Sequence, residues 1–430
     1  MGVQRWLHIC VMKLSTLLAV SVSVFSLTLN SSFAADEIAP AEPAHVWSGI
    51  YVGLGIGGGA VVHDLELLNI PSPIFRLNGL GGEGVFGEIY GGYDYAFNNG
   101  LVVGVGANAR LSTIASTLEI GGTTADITAD YGFDVFARAG YLLTPQTLGY
   151  VLAGYSYQHF DINVDGPGSI FDWGANGFTV GAGIETALTQ RIHLKGEYRY
   201  SQYGEQDFGS NGLIEVLPSS HTATLGLSYR FGAPAATQSA AGPAPVDFTG
   251  FYVGLAGGAT GLSHQLSIQG APLSLNGIGA EGIQGRFQAG YDHELANGVV
   301  LGVQADIGIG NVATVLDFLG TEVASIDQEY AWSIVGRVGY KVGPRTMVYA
   351  LGGYTQEYYD INVTGPGSIF DFTTKGFVAG GGVETAVTDK IFLGAEYRYT
   401  QTLESFDLGI ATLDLEPSSH TGMATLKFKF

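Results

Sequence analysis

The chain has 430 residues, with 18 Lys and Arg against 39 Asp and Glu, a formal net charge of −21 and 46% hydrophobic residues. That balance excludes a nucleic-acid binder and a polybasic membrane-surface binder, and the apolar content excludes disorder. The 66 glycines beside 23 Tyr and 23 Phe are a β composition.

In chain order, the first feature is an expected signal peptide over 1–34. Arg5 and Lys13 precede an apolar stretch from Leu14 to Leu29, and Ser32 and Ala34 give the small-residue cleavage pattern. Its removal takes the only cysteine, Cys10, and leaves 16 basic against 39 acidic residues. Disulfides, thiolate chemistry and a cysteine-borne lipid anchor are then excluded. Beyond it no apolar run reaches the roughly 18–20 residues that a membrane helix needs.

After an N-terminal segment at 35–48, period-two alternation sets in. Ile50, Val52, Leu54 and Ile56 share one face, and Tyr51, Gly53, Gly55 and Gly57 the other. Eight such strands are expected at about 49–62, 83–96, 100–114, 128–143, 147–160, 177–188, 191–203 and 221–231. Short turns at Asn98-Asn99-Gly100, Thr144-Pro145-Gln146 and Thr189-Gln190 alternate with long loops at 63–82, 115–127, 161–176 and 204–220. An Ala/Pro-rich linker follows at 232–249. Pro234, Pro243 and Pro245 make it an extended spacer reaching on the order of 40 Å. The pattern then starts again and fills 250–430.

The second half repeats the first. DINVDGPGSIFD (161–172) returns as DINVTGPGSIFD (360–371), GEYRY (196–200) as AEYRY (395–399), and Pro218–Thr222 as Pro417–Thr421. A period near 200 residues is a duplicated domain, too long for a solenoid or propeller repeat.

Alternating short and long connections describe an antiparallel up-and-down β-barrel in an outer membrane, where only a closed sheet satisfies its own backbone. A soluble lipocalin-like barrel would carry its apolar residues inside instead. Tyr141, Tyr150, Tyr198, Tyr200, Tyr340, Tyr349, Tyr397 and Tyr399 are expected on the lipid face as interfacial girdles, and the chain ends on an aromatic, Phe430. The fold expected is all-β: two tandem eight-stranded transmembrane barrels, with one sixteen-stranded barrel as the alternative.

The polar face of each copy carries a balanced set expected to pair inside a narrow lumen. These residues are Glu88, Arg110, Arg138, Glu185, Glu197 and Arg199 in the first copy, and Arg286, Asp306, Arg337, Glu384, Glu396 and Arg398 in the second. Lys195 is a lumen cation with no evident partner, since Gly394 holds the matching position.

Three further motifs stand out. Asp161, Asn163, Asp165 and Asp172, with Gly166 sixth, reproduce the spacing of a calcium loop. Asx-turn chemistry in a hairpin explains the same residues. Ser219-Ser220-His221 and Ser418-Ser419-His420 open the last strand of each copy. They read as polar residues at the outer rim, with a lipid hydrolase as the remote alternative. The GxG strings lie within strands and open no helix, so no phosphate cradle or other cofactor site is expected.

GIYVG (49–53), GFYVG (250–254), SYRF (228–231) and KFKF (427–430) carry a resemblance. At these residues the chain resembles the outer membrane protein A-like and opacity-protein-like barrels, above all the surface-antigen barrels of alphaproteobacteria. The resemblance implies insertion by the outer-membrane barrel machinery with periplasmic chaperones, reading Gly226, Tyr229 and Phe231, and Phe428 and Phe430. Copy two departs at Thr425, where copy one has Gly226. The functions expected are a non-enzymatic structural and surface-display protein in contact with outer-membrane lipids and lipopolysaccharide, or a porin if sixteen strands close one ring.

Overall fold

Alternation writes strands throughout. The computed structural model describes residues 46–67, 74–165, 169–208, 214–232, 244–269, 273–365, 367–407, 409 and 411–430; the expected signal peptide lies outside them. Copy one comprises β1 (Gly49–Leu67), β2 (Phe75–Ala96), β3 (Leu101–Ile120), β4 (Thr123–Thr144), β5 (Thr147–Val164), β6 (Ser169–Ala187), β7 (Ile192–Tyr203), short β8 (Gln206–Phe208) and β9 (Ile214–Arg230). Copy two comprises β10 (Gly250–Ile268), β11 (Leu273–Glu294), β12 (Val299–Gly310), β13 (Ala313–Phe318), β14 (Thr321–Lys341), β15 (Thr346–Val363), β16 (Gly367–Ala386), β17 (Ile391–Asp407) and β18 (Thr412–Lys429).

Each copy closes on itself. β1 pairs with β2 (Gly49↔Asp94) and with β9 (Tyr51↔Arg230), while β10 pairs with β11 (Gly250↔Asp292) and β18 (Tyr252↔Lys429). A strand has two edges, and in β1 and β10 both are filled from within the copy. Two rings of eight result, with β8 an offshoot on β9 and with β12 and β13 sharing one position between β11 and β14, in place of the sixteen-stranded alternative. The short turns close tightly: Gly100 and Gly298 take φ of 88° and 80°, a left-handed conformation that costs glycine no side-chain clash.

Facing follows the lipid. Leu54, Val105, Val151 and Leu255 are 60% exposed or more on the outer wall, whereas Arg138, Arg199, Arg337 and Arg398 are buried within. Tyr141 and Tyr340 stand outside as expected. Tyr150 and Tyr349 do not: both are buried in the lumens, because their parity puts them with Leu148 and Leu152, and with Met347 and Leu351, while Val151 faces out. Tyr198, Tyr200, Tyr397 and Tyr399 lie on the outer wall where the two barrels meet.

The strands also run far past the expected ends. The segments expected as loops at 63–82, 115–127 and 161–176 are largely β-ribbon, with Leu67 still paired to Phe75 and Ile120 to Thr123. A tilted strand crosses the hydrocarbon core in about 9–11 residues. Above that height nothing demands an apolar outer face, so the alternation that marked the strands fades although the pairing continues.

Candidate functional site

The lumens are where the buried chemistry lies. In barrel one Arg138 pairs with both carboxylate oxygens of Asp94 and with Glu185 at 3.0 Å, and Arg230 reaches Asp94 and Glu185 at 2.7 Å each. Higher up, Lys195 reaches Glu88 at 3.0 Å and Glu197 at 3.4 Å with its ammonium over the Tyr90 ring. Arg199 bridges Glu197 (2.6 Å) and Asp134 (2.7 Å), and Arg110 meets Asp134 at 2.8 Å. The Tyr150 hydroxyl donates to Glu197 at 2.6 Å.

Barrel two builds a similar stack, keeping the counterparts of Asp94, Arg138, Glu185, Glu197 and Arg199 and replacing others. Lys429 and Arg337 meet Asp292 at 3.0 and 3.3 Å, and Arg337 and Lys427 meet Glu384 at 3.0 and 2.7 Å. Arg398 bridges Glu396 (2.8 Å) and Asp306 (2.9 Å), Arg286 adds to Asp306 (2.8 Å), and Tyr349 donates to Glu396 at 2.6 Å. In each barrel the carboxylates match the cations. Glu88, Asp94, Asp134, Glu185 and Glu197 face Arg110, Arg138, Lys195, Arg199 and Arg230; Asp292, Asp306, Glu357, Glu384 and Glu396 face Arg286, Arg337, Arg398, Lys427 and Lys429. Buried ions are costly unless paired and hydrogen-bonded, and all of these are ion-paired except Glu357, which accepts from the Tyr359 hydroxyl at 2.7 Å.

The structure thus places every charged residue named from the polar faces in a lumen, and gives Lys195 two partners. Sequence reasoning missed Asp94, Asp134, Arg230, Asp292, Glu357, Lys427 and Lys429 as network members. Their strand parity marked them: Arg230 continues Gly226 and Ser228, and Lys429 continues Thr425 and Lys427.

Apolar caps close both ends of the stack. At the turn end of barrel one, Trp47 packs with Val102, Phe136, Leu148 and Tyr150, and its indole donates to the Pro145 carbonyl at 3.0 Å. In barrel two the end of the linker enters the mouth: Phe248 and Val246 are buried with Val335, Met347 and Phe392, and the Val246 amide donates to Pro344 O at 3.0 Å. The linker is therefore partly a plug, beyond the spacer expected. At the loop end, Phe86, Phe160, Trp173 and Tyr203 fill barrel one, and Leu262, Tyr359, Phe372 and Leu415 fill barrel two.

Tyr229, Phe231, Phe428 and Phe430 stand outward at the ends of the last strands. Gly226 has a steric role: a Cβ there would come within 2.7 Å of the Tyr90 hydroxyl and 2.8 Å of Lys195 Cε. Copy two tolerates Thr425 because the matching residues are Gln288 and Gly394.

The four candidate calcium ligands lie around a hairpin end and form no cage. Asp161 sits opposite Asp172 and Asn163 opposite Ser169; Asp165, at φ 52°, accepts from the Thr124 amide at 2.9 Å, and Asp172 meets His159 at 3.3 Å. Among the described residues no three His, Cys, Asp or Glu side chains are grouped to hold a metal.

His221 and His420 are not at the rim; both are buried in the wall between the barrels, each reaching a carboxylate of the other copy. His221 Nε2 lies 3.0 Å from Glu281, and His420 Nε2 lies 3.4 Å from Glu83. The Tyr198 and Tyr397 hydroxyls sit 2.5 and 2.7 Å from the two Nδ1 atoms. Ser219 donates to the same Glu281 oxygen at 2.6 Å. Serine and imidazole thus both address the carboxylate, and among the described residues no serine is held against an imidazole nitrogen as a nucleophile would be. The signal was the repetition of Ser-Ser-His and of Glu83 as Glu281, which as sequence could equally belong to a rim.

The chain is similar to known outer-membrane proteins. The chain is 25% identical over 238 residues to a 31 kDa outer-membrane immunogenic protein of Brucella suis biovar 1 (strain 1330), spanning 49% of this chain and 98% of that one. It is 32% identical over 232 residues to a 25 kDa outer-membrane immunogenic protein of Brucella abortus biovar 1 (strain 9-941), spanning 51% and 99%. Among solved structures, Neisserial surface protein A (NspA) is similar at 18% identity and a TM-score of 0.27, covering 43% of this chain and 98% of that one. The model of the outer membrane protein beta-barrel domain matches twice, at residues 25–231 and 232–428. With lipid-facing walls, filled lumens and that double match, the chain belongs to the outer membrane protein beta-barrel family, carries its domain in tandem, and resides in the outer membrane of a Gram-negative bacterium.

Proposed function

We propose that this is a non-enzymatic structural protein of the outer membrane that displays tall β-ribbons at the cell surface and does not conduct. One observation carries the reading: both lumens are filled from end to end, by a cap, an ion-paired stack and an apolar plug. An eight-stranded ring is about wide enough for side chains to fill, and here they do. The non-enzymatic part is supported by the same stack, whose carboxylates are engaged by cations or, at Glu357, by the Tyr359 hydroxyl, and by the geometry at His221.

In this role the outer walls contact membrane lipids, the acidic ribbons stand among lipopolysaccharide, and the barrel insertion machinery reads the aromatic-ended last strands. Purified protein in planar bilayers tests the central claim. No stable conductance steps are expected at any voltage; reproducible steps of porin size would refute it.

A further inference from the structure

Above the membrane each barrel comes apart along a seam. Pairing of β2 with β3 stops at Glu83↔Ala115. Beyond that height residues 75–78 of β2 pair with 315–318 of β13, and 273–276 of β11 pair with 117–120 of β3. Each barrel opens the same seam and gives both edges to the other copy, with Leu80↔Ile278 between them. Exchanging the copies maps one pairing onto the other, the pattern of an isologous interface.

A second seam opens in the same way. β6 and β7 pair only up to Gly177↔Tyr203, and β16 and β17 only up to Lys375↔Leu403. Yet β6 continues to Ser169 and β16 to Gly367, backed by β5 and β15. Among the described residues no backbone partner fills the far edge of 169–175 or of 367–374. Aromatic rings line both gaps: Phe171 and Trp173 against Phe208 at 5.1 and 5.4 Å, Phe370 and Phe372 against Phe406 at 5.8 and 5.7 Å. Ile170 and Ile369 are 66% and 56% exposed on these edges. Their segment, SIFD, is identical in the two copies, whereas the tips of β2 and β3 have diverged. A hydrophobic edge without proline is a template for another strand.

We propose that the β6/β7 and β16/β17 seams dock a second copy of this chain by the strand exchange that already joins its two halves. The in-chain junction shows what such an opening accepts: an equally opened seam of a neighbouring barrel at the same height. All copies in one membrane share that height. The strand directions also agree, since β6 runs toward the membrane and the end of β17 away from it, so they meet antiparallel as β2 and β13 do. In a ring of eight the two seams are four strands apart, on opposite sides. Each chain therefore offers a free seam at either end, and docking builds rows of barrels.

Disulfide trapping in intact outer membranes tests this. The full chain carries Cys10→Ala with Ile170→Cys and Asp407→Cys; both new positions are exposed. Under oxidation, a ladder of linked dimers and larger multiples of the chain is expected on non-reducing gels. Ile170→Pro or Ile369→Pro, on the partner chain of a mixed expression, should abolish its share of the ladder. Both residues fall at the bulge where β5 or β15 offers no partner, so the hairpin ladder is spared. Heat-modifiable migration confirms that the barrels have formed; if the proline variants fail it, Ile170→Lys and Ile369→Lys replace them. The proposal is overturned by unlinked monomer alone, by linkage to a different polypeptide, by a ladder indifferent to the edge variants, or by an equal ladder from a lipid-facing pair, Leu111→Cys with Ile283→Cys.

Discussion

Glu88 and Arg286 occupy the same place in the two copies with opposite charge. The reversal is absorbed nearby, since Arg110, Asp134 and Lys195 become Gly308, Ser333 and Gly394. Lumen residues change in compensating sets, and a change made alone is costly. Arg138→Met would leave Asp94 and Glu185, two buried carboxylates, sharing Arg230, and should lower stability by about 3–5 kcal/mol in urea unfolding from detergent or vesicles. Gly226→Thr should cost about 1–3 kcal/mol by overpacking Tyr90 and Lys195, while Thr425→Gly should cost no more than about 1 kcal/mol; equal losses would refute the steric account. His159, in the ribbon, gives a pH dependence. Burial pushes its pKa down, but hydrogen bonds and charge from Asp130 (2.9 Å) and Asp172 (3.3 Å) outweigh this and hold it above the ordinary 6.5. The pair's stabilisation is therefore full below pH 6.5 and is lost as pH rises through the raised value. An NMR titration midpoint at or below 6.5 would contradict it. The sequence's parity located the lumen charges named from it, but not their partners, because pairing across a lumen joins strands far apart in the chain. Tyr150 was misassigned for a related reason: an apolar body suits either face, and only Glu197 opposite decides.

At the scale of elements, the caps distinguish these barrels from open tubes. Residues 244–248 read as spacer because alanine and proline dominate the linker, yet Phe248 is fully buried and its amide donates to Glu294 at 2.8 Å. Phe248→Ala should destabilise barrel two by about 3–5 kcal/mol and leave barrel one unchanged. Following the two transitions separately, through tryptophans of the first copy (Trp47, Trp173) and Trp332 of the second, checks it. The membrane-spanning parts of the strands were legible because lipid enforces the alternation. The ribbons were not, since pairing without a lipid face leaves no comparable period.

For the whole molecule, the internal repeat foretold two domains but not how they join. The register of β1 with β9 predicts that residues 35–231 expressed alone insert as a heat-modifiable barrel; failure to fold would make the second copy an obligate partner. The junction itself, with each histidine on the other copy's glutamate and each β2 on the other's β3, had no local signature, because its residues make sense only in pairs 60 or more positions apart. That exchange has an immunological consequence. The outward surface formed by β2 beside β13, and by β11 beside β3, is a composite epitope: an antibody raised against it should bind the intact tandem chain on cells, and neither half expressed by itself.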